Sequence, residues 1–235
     1  PAGVPVSLDF VNHELWRRQQ GYGRGGRMKI EIDKAHVISG VRHSKTIGSP
    51  IAILLQNRDW ENWTEALPVE DTEGSEGVAK PVTHPRPGHA DLAGVLKYNF
   101  PDARYVLERA SARETTCRVA VGAFAKLFLA EFGISILSHV IAVGDVALER
   151  DPQWEEIEAL AEKDEVLLNC VDLETEQRMK AVVDEAYRLI SFEPGSQPQW
   201  DRFKALFSPR AVLAFRVFPE DDAVTIMDLD DYVVR

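Results

Sequence analysis

An α/β class of fold, with short mixed or antiparallel sheets packed against helices, is what this sequence predicts. Three observations carry the prediction. Helical and strand periodicities alternate along the chain. Glycine- and proline-rich breaks separate them. The 45% apolar content and five tryptophans are those of a globular core, not of a disordered segment.

Pro1–Pro5 reads as a strand-to-helix connection, and Ser7 caps a helix running to about Gln20. Leu8, Val11 and Leu15 lie on one side of that helix, and Arg17 and Arg18 close it. The loop Gly21–Gly26 follows, where glycines allow close backbone approach and Arg18, Arg24 and Arg27 stand beside it. Met28–Ile32, His36–Ser39 and Ile51–Gln56 read as strands. Asn57–Trp63 is a polar and aromatic loop, and Pro68–Pro87 is long enough to be functional or mobile.

The strongest local signal is Glu108–Thr115 (ERASARET). Ser111 with Glu114 three residues on is a capping box, and Val119, Val121, Ala123, Phe124, Leu127 and Phe128 keep helical spacing as far as Gly133. A helix start offers unpaired N–H groups and a positive dipole end. Arg109 and Arg113 flank it, and guanidinium forks suit phosphate and carboxylate. Beyond this helix, Ile134–Val143 and Val166–Val171 read as strands. Pro152–Lys163 and Leu173–Leu189 read as acidic amphipathic helices with solvated charged faces. In the tail, Glu193–Pro198 is a turn, Gln199–Phe207 a short helix, and Ala211–Phe218 and Ala223–Met227 are strands.

The net charge of −11 argues against a general nucleic-acid or anionic-membrane binder. That charge is uneven. Residues 1–50 hold eight Lys/Arg against four Asp/Glu, whereas residues 145–191 hold five against fourteen. A basic front half points to a small anionic ligand. Cys117 and Cys170 have no metal-ligand spacing, so no metal is expected, and a reducing, cytoplasmic setting fits. Cys117 is expected to be a small buried apolar residue of its helix. No apolar run has the length of a membrane span.

Four stretches occur in order: Leu15–Met28 (LWRRQQGYGRGGRM), Gly48–Asp59 (GSPIAILLQNRD), Arg86–Asp91 (RPGHAD) and Glu108–Thr115. Together they resemble the chorismate synthase family over about residues 1–186. The resemblance implies an α/β sandwich and an FMN-dependent lyase of the shikimate pathway. That reaction is the anti-1,4 elimination of phosphate from 5-enolpyruvylshikimate 3-phosphate, using reduced FMN, to give chorismate. It also implies that Arg18, Arg24, Arg86 and Arg113 face the substrate, which carries a phosphate and two carboxylates. Arg18 and Arg24 are further associated with NADP in the family, although no nicotinamide-binding fingerprint stands in this chain. His89 matches the histidine placed near the flavin, where it protonates or hydrogen-bonds the reduced ring. Arg109, Ala110 and Ser111 match FMN contacts. A homotetramer is the family's assembly.

The family's Gly-Glu/Asp-Ser-His-Gly motif, which precedes the segment matching Pro1, does not occur here, nor do its later strands and Arg-Ser/His-Asp motif. The expected organisation is therefore a partial chorismate synthase-like domain at 1–186 and an unrelated tail at 187–235. The tail faintly resembles the start of an NTF2-like (SnoaL-type) domain. Two other functions stay open beside the lyase: a catalytically inactive remnant that at most binds FMN or anions, and a small-ligand or interaction module acting through the tail.

Overall fold

The computed structural model describes residues 1–23, 32–58, 60–64, 67–70, 81–86, 89–110, 112–163, 165–191, 197, 199–207, 212–215, 225–228 and 230. The architecture is α+β, and the chain divides into two compact units. The first is Pro1–Gln19 with Arg24–Ile136, and the second is Gln20–Gly23 with Leu137–Arg235.

In the first unit, β1 (Ala2–Pro5) leads into α1 (Leu8–Gln19). Ser7 starts this helix as expected, its hydroxyl accepting from Phe10 N at 3.2 Å. Val11 and Leu15, one turn apart, are wholly buried, whereas Leu8 is exposed. They pack with Ala35, Ala120 and Ala123, bordered by Phe10, Ile53, Leu55, Val119, Phe124 and Leu127. Small alanines on α4 (Ala112–Ala130) let the two helices approach closely. An ion pair of Lys126 with Glu14 at 2.7 Å fastens their flanks.

β2 (Ala35–Ser39) and β5 (Ala52–Leu55) form an antiparallel pair in the register Ala35 with Leu55, so the expected strands at these positions are present. Between them lies a hairpin the periodicity did not reveal, β3 (Val41–Arg42) with β4 (Lys45–Ile47), and β4 also pairs with β1. Its two-residue turn places His43 and Ser44 at φ 48° and 54°, the left-handed conformation that tight hairpins require. Gly40 admits no side chain. Its φ is +85°, and a Cβ there would stand 2.5 Å from the carbonyl oxygen of Pro50.

The polar loop after β5 holds a 3₁₀ turn, Trp60–Asn62. The expected strand at Met28–Ile32 falls on residues 28–31, outside the described residues, as do residues 71–80 and 87 of the long loop. Two helices not foreseen follow, α2 (Asp91–Tyr98) and α3 (Arg104–Leu107). Asp102 Oδ1 accepts from Val82 N at 3.0 Å and Arg104 N at 2.9 Å, and so ties the end of the loop to the start of α3.

Helix α4 follows the expected span. Its inner face is Thr116, Ala120 and Ala123, which puts Cys117 about a quarter-turn away from that face. Cys117 is exposed, contrary to the expected burial. The capping box itself rests on Ser111, outside the described residues.

After α4, the expected strand at Ile134–Val143 shrinks to β6 (Ala142–Val143), paired with β7 (Val146–Ala147). Backbone groups of this run are used elsewhere: Ile134 N closes the end of α4 on Leu129 O, and Val140 N donates to Asn169 O. Val166–Val171 is likewise no strand. Asn169 has φ 62°, and the buried Glu176 carboxylate accepts from Leu168 N at 2.9 Å and Cys170 N at 3.2 Å. A side chain supplies what a ladder partner would have supplied.

The acidic helices are present as α5 (Trp154–Ala161) and α6 (Leu173–Ile190), the latter capped by Asp172 accepting from Thr175 N at 2.8 Å. At the start of α5, Glu156 accepts from Gln153 N and pairs with Arg150, which lowers its pKa to about 2. Helix α7 (Trp200–Ala205) packs Phe203 on Leu189 of α6, and β8 (Val212–Phe215) pairs antiparallel with β9 (Thr225–Asp228). These tail elements fall where the periodicity put them. The expected turn at 193–198 lies outside the described residues except for Gln197.

Two substitutions test the first unit's core. Leu15→Ala should destabilise the chain by about 3 kcal/mol through lost burial and the cavity left behind. Gly40→Ala should destabilise by at least about 1 kcal/mol, since both φ and the Pro50 carbonyl oppose a Cβ. Urea unfolding followed by tryptophan fluorescence reads both; an unchanged midpoint for either would contradict the packing described.

Candidate functional site

Three of the sequence-predicted residues meet the ends of α2: Arg86 and His89 at its start and Arg109 at its other end. At its start, Arg86 and Asp91 form a bidentate pair. Arg86 Nε donates to Asp91 Oδ2 at 2.9 Å, and a terminal guanidinium nitrogen donates to Oδ1 at 3.1 Å. The Arg86 backbone N–H donates to Oδ2 as well, at 2.9 Å. Asp91 is 0% exposed, whereas the Arg86 side chain keeps 41% of its surface. The carboxylate thus anchors and aims a guanidinium whose outer edge faces solvent. Arg86 holds the Asp91 carboxyl below its ordinary range, with a smaller contribution from the His89 charge. His89 is exposed, and its backbone N–H donates to Arg86 O at 3.3 Å, so histidine and arginine stand on one turn.

At the other end, the Arg109 guanidinium lies 5.0 Å from the Tyr98 ring centroid, a cation–π contact that pulls the phenol pKa down. The eight residues of α2 separate the two ends by about 12 Å. Arg109 and Ala110 occupy the turn between α3 and α4, with N–H bonds to Val106 O and Leu107 O. Arg113, in the first turn of α4, pairs with the Glu108 carboxylate. Arg18 reaches the same helix start from the end of α1. It donates to Ala112 O at 3.1 Å and pairs with Asp33 at 2.5 Å. The Thr116 hydroxyl donates to Ala112 O at 2.7 Å and stands 3.4 Å from the same Asp33 carboxylate.

The structure therefore brings Arg18, Arg109, Ala110 and Arg113 to the start of α4, and sets Arg86 and His89 at the start of α2. Arg24 and Ser111 lie outside the described residues. Sequence reasoning missed the carboxylates that hold these arginines. Asp91 could have been found, as an acid at a helix start five residues from Arg86. Glu108 pairs at the same five-residue separation from Arg113, whereas Asp33 gave no signal, because its pairing with Arg18 is decided by tertiary approach. Among the described residues, no group of three or more His, Cys, Asp or Glu side chains could hold a metal.

Such an arrangement can bind a small multiply charged anion. At the start of α4, Arg18, Arg109 and Arg113 stand among Asp33, Glu108 and Glu114, and the helix dipole adds a positive field. Fold and local geometry thus describe a class: an α+β protein whose arginine-bearing helix starts suit an anionic small molecule.

The comparisons make this particular. The sequence model of the chorismate synthase family matches residues 1–189. The chorismate synthase of Solibacter usitatus is 72% identical over 188 residues, covering 80% of this chain and 48% of that protein. That of Enterococcus faecalis is 42% identical over 234 residues, covering 93% of this chain and 60% of that protein, so the similarity runs past residue 189. A solved chorismate synthase structure matches with TM-score 0.56 and 37% identity, over 80% of this chain and 47% of that one. The chain belongs to the chorismate synthase family. It spans about half the length of the curated relatives first matched.

The buried carboxylate behind Arg86 gives a test. Asp91→Asn should destabilise the chain by about 1.5–3 kcal/mol at pH 7, the range of a hydrogen bond to a charged group. Because the folded-state pKa of Asp91 is lowered, its contribution is present above about pH 4 and is lost as pH falls through the lower folded value. Denaturant melts of wild type and variant should therefore differ at pH 7 and converge toward pH 2. A difference that persists undiminished at pH 2 would contradict an ionised Asp91.

Proposed function

We propose that this chain acts in the chorismate synthase reaction, the anti-1,4 elimination of phosphate from 5-enolpyruvylshikimate 3-phosphate. The observation that carries this reading is the placement of Arg86 with His89 on one turn, backed by a buried carboxylate, in a member of that family. Arg18, Arg24, Arg86 and Arg113 bind and neutralise the substrate's phosphate and carboxylates. His89, exposed at the start of α2, is the proton donor or hydrogen-bond partner for the cofactor ring. The helix start and guanidinium groups at α4 suit the phosphate of FMN, which Arg109, Ala110 and Ser111 would hold. When bound in reduced form, FMN supplies electron density to the elimination and is regenerated.

The reaction belongs in the cytoplasm and in a homotetramer, with NADP as a further ligand of Arg18 and Arg24. Among the described residues, β2 and β5 pair only with each other, and so leave edges on which further strands can add. No described helix is long and apolar enough to cross a membrane.

A second reading, binding without turnover, is favoured by the internal pairing of Arg18 with Asp33 and of Arg113 with Glu108. Anaerobic incubation of the chain with 5-enolpyruvylshikimate 3-phosphate and chemically reduced FMN, followed by chorismate absorbance, separates the two. Product should form, and His89→Ala should lower kcat by about 100-fold with KM little changed. Absence of product with FMN fluorescence still quenched would establish the second reading. Absence of both would overturn each of them.

A further inference from the structure

Tyr98, the last residue of α2, belongs to a series of rings shared with α3. Its ring stacks on Phe100 with centroids 5.5 Å apart and planes at 27°. Phe100 in turn meets Tyr105 of α3 edge-on, 5.2 Å away and at 63°. Asn99, between the stacked pair, has φ 52°, and Phe100 N donates to Val95 O at 3.2 Å. The chain thus turns sharply enough after α2 for Phe100 to reach both tyrosines. The two helices also meet closely at Gly94. A Cβ there would lie 2.6 Å from Val106 Cγ1, and Val106 is buried. The rings therefore sit on a tightly packed pair of helices.

What this mount carries is charge. The Arg109 guanidinium lies 5.0 Å from the Tyr98 centroid, and the Lys97 ammonium lies 5.3 Å from it. All three residues are exposed. Both cations hold the phenol below its ordinary range, Arg109 first. Two cations drawn to one exposed ring favour an anion beside them. An arginine on a turn otherwise keeps many rotamers, and a ligand must remove that freedom when it binds.

Resting on the reading that Arg109 binds the phosphate of FMN, we propose that Tyr98 is a positioning residue for Arg109. The ring holds the guanidinium against the end of α2 before a phosphate arrives. Tyr98 acts through Arg109 and does not itself touch the ligand.

Phenylglyoxal, an arginine reagent, reports Arg109 directly, with the exposed Arg118 of α4 as internal reference and peptide mass spectrometry as readout. Tyr98→Leu and Tyr98→Gln remove the aromatic face, whereas Tyr98→Phe keeps it. Thermal melts by circular dichroism establish which variants fold. Inorganic phosphate should protect Arg109 in wild type. The half-protecting concentration should rise about fivefold in the Leu and Gln variants and stay within about twofold of wild type in Tyr98→Phe. An unchanged concentration without the ring, or no protection of wild-type Arg109, would overturn the positioning role. An equal rise in Tyr98→Phe would overturn the ring contact as its cause.

Flavin binding separates this role from the reading it rests on. FMN and riboflavin differ only in the phosphate, and quenching of flavin fluorescence titrates both. Tyr98→Leu should weaken FMN about fivefold and leave riboflavin within about twofold. Equal weakening of both flavins would overturn the positioning role. Wild-type protein that binds FMN no tighter than riboflavin, while phosphate still protects Arg109, would count against the FMN reading alone. The phosphate titration then decides for Tyr98.

Discussion

The first unit depends on the burial of Val11 and Leu15 between α1, α4 and the β2–β5 pair. These two side chains remove apolar surface from water at the point where three elements meet. Because α1 is held there, its C-terminal Arg18 arrives at the first turn of α4 and can donate to Ala112 O. Asn12, on the same helix, accepts from Ala35 N at 2.9 Å and sets the start of β2. A hydrophobic contact thus decides where a charged group sits.

Each arginine of the candidate site that the structure describes has a protein partner, and the kind of partner differs. Asp91 is buried, so its charge is costly without Arg86 and the pair is held tightly. Glu108 and Arg113 are both partly exposed, and water competes with such a contact. Arg109 rests against the aromatic face of Tyr98. A graded set of this kind keeps arginines extended before a ligand arrives, and leaves some contacts weak enough to exchange.

The second unit uses side chains where the first uses strands. Glu176 satisfies two backbone N–H groups of the 166–171 segment, and Asp172 caps the helix that carries Glu176. Both acids lie in the first turn or cap of α6, where the dipole favours negative charge. Part of the large negative charge of this region therefore has structural work within the unit.

The family, the helices α1, α4, α5 and α6, and the strands β2 and β5 were legible in the sequence, because they follow from periodicity, caps and ordered motifs that need no partner. The same holds for Ser7 as a cap and for the placing of arginines at helix ends. What only the tertiary structure decided concerns pairing. Ile134–Val143 has strand-like alternation, yet its N–H groups found partners outside a sheet. Cys117 has an apolar side chain, yet the helix phase set by Ala120 and Ala123 turned it outward. The carboxylate behind Arg18 was chosen by approach in space, and for Asp33 that approach crosses 15 residues of chain to Arg18 and 83 to Thr116. Local sequence specifies which conformations a segment prefers, whereas the identity of a long-range partner depends on all the segments that pack around it.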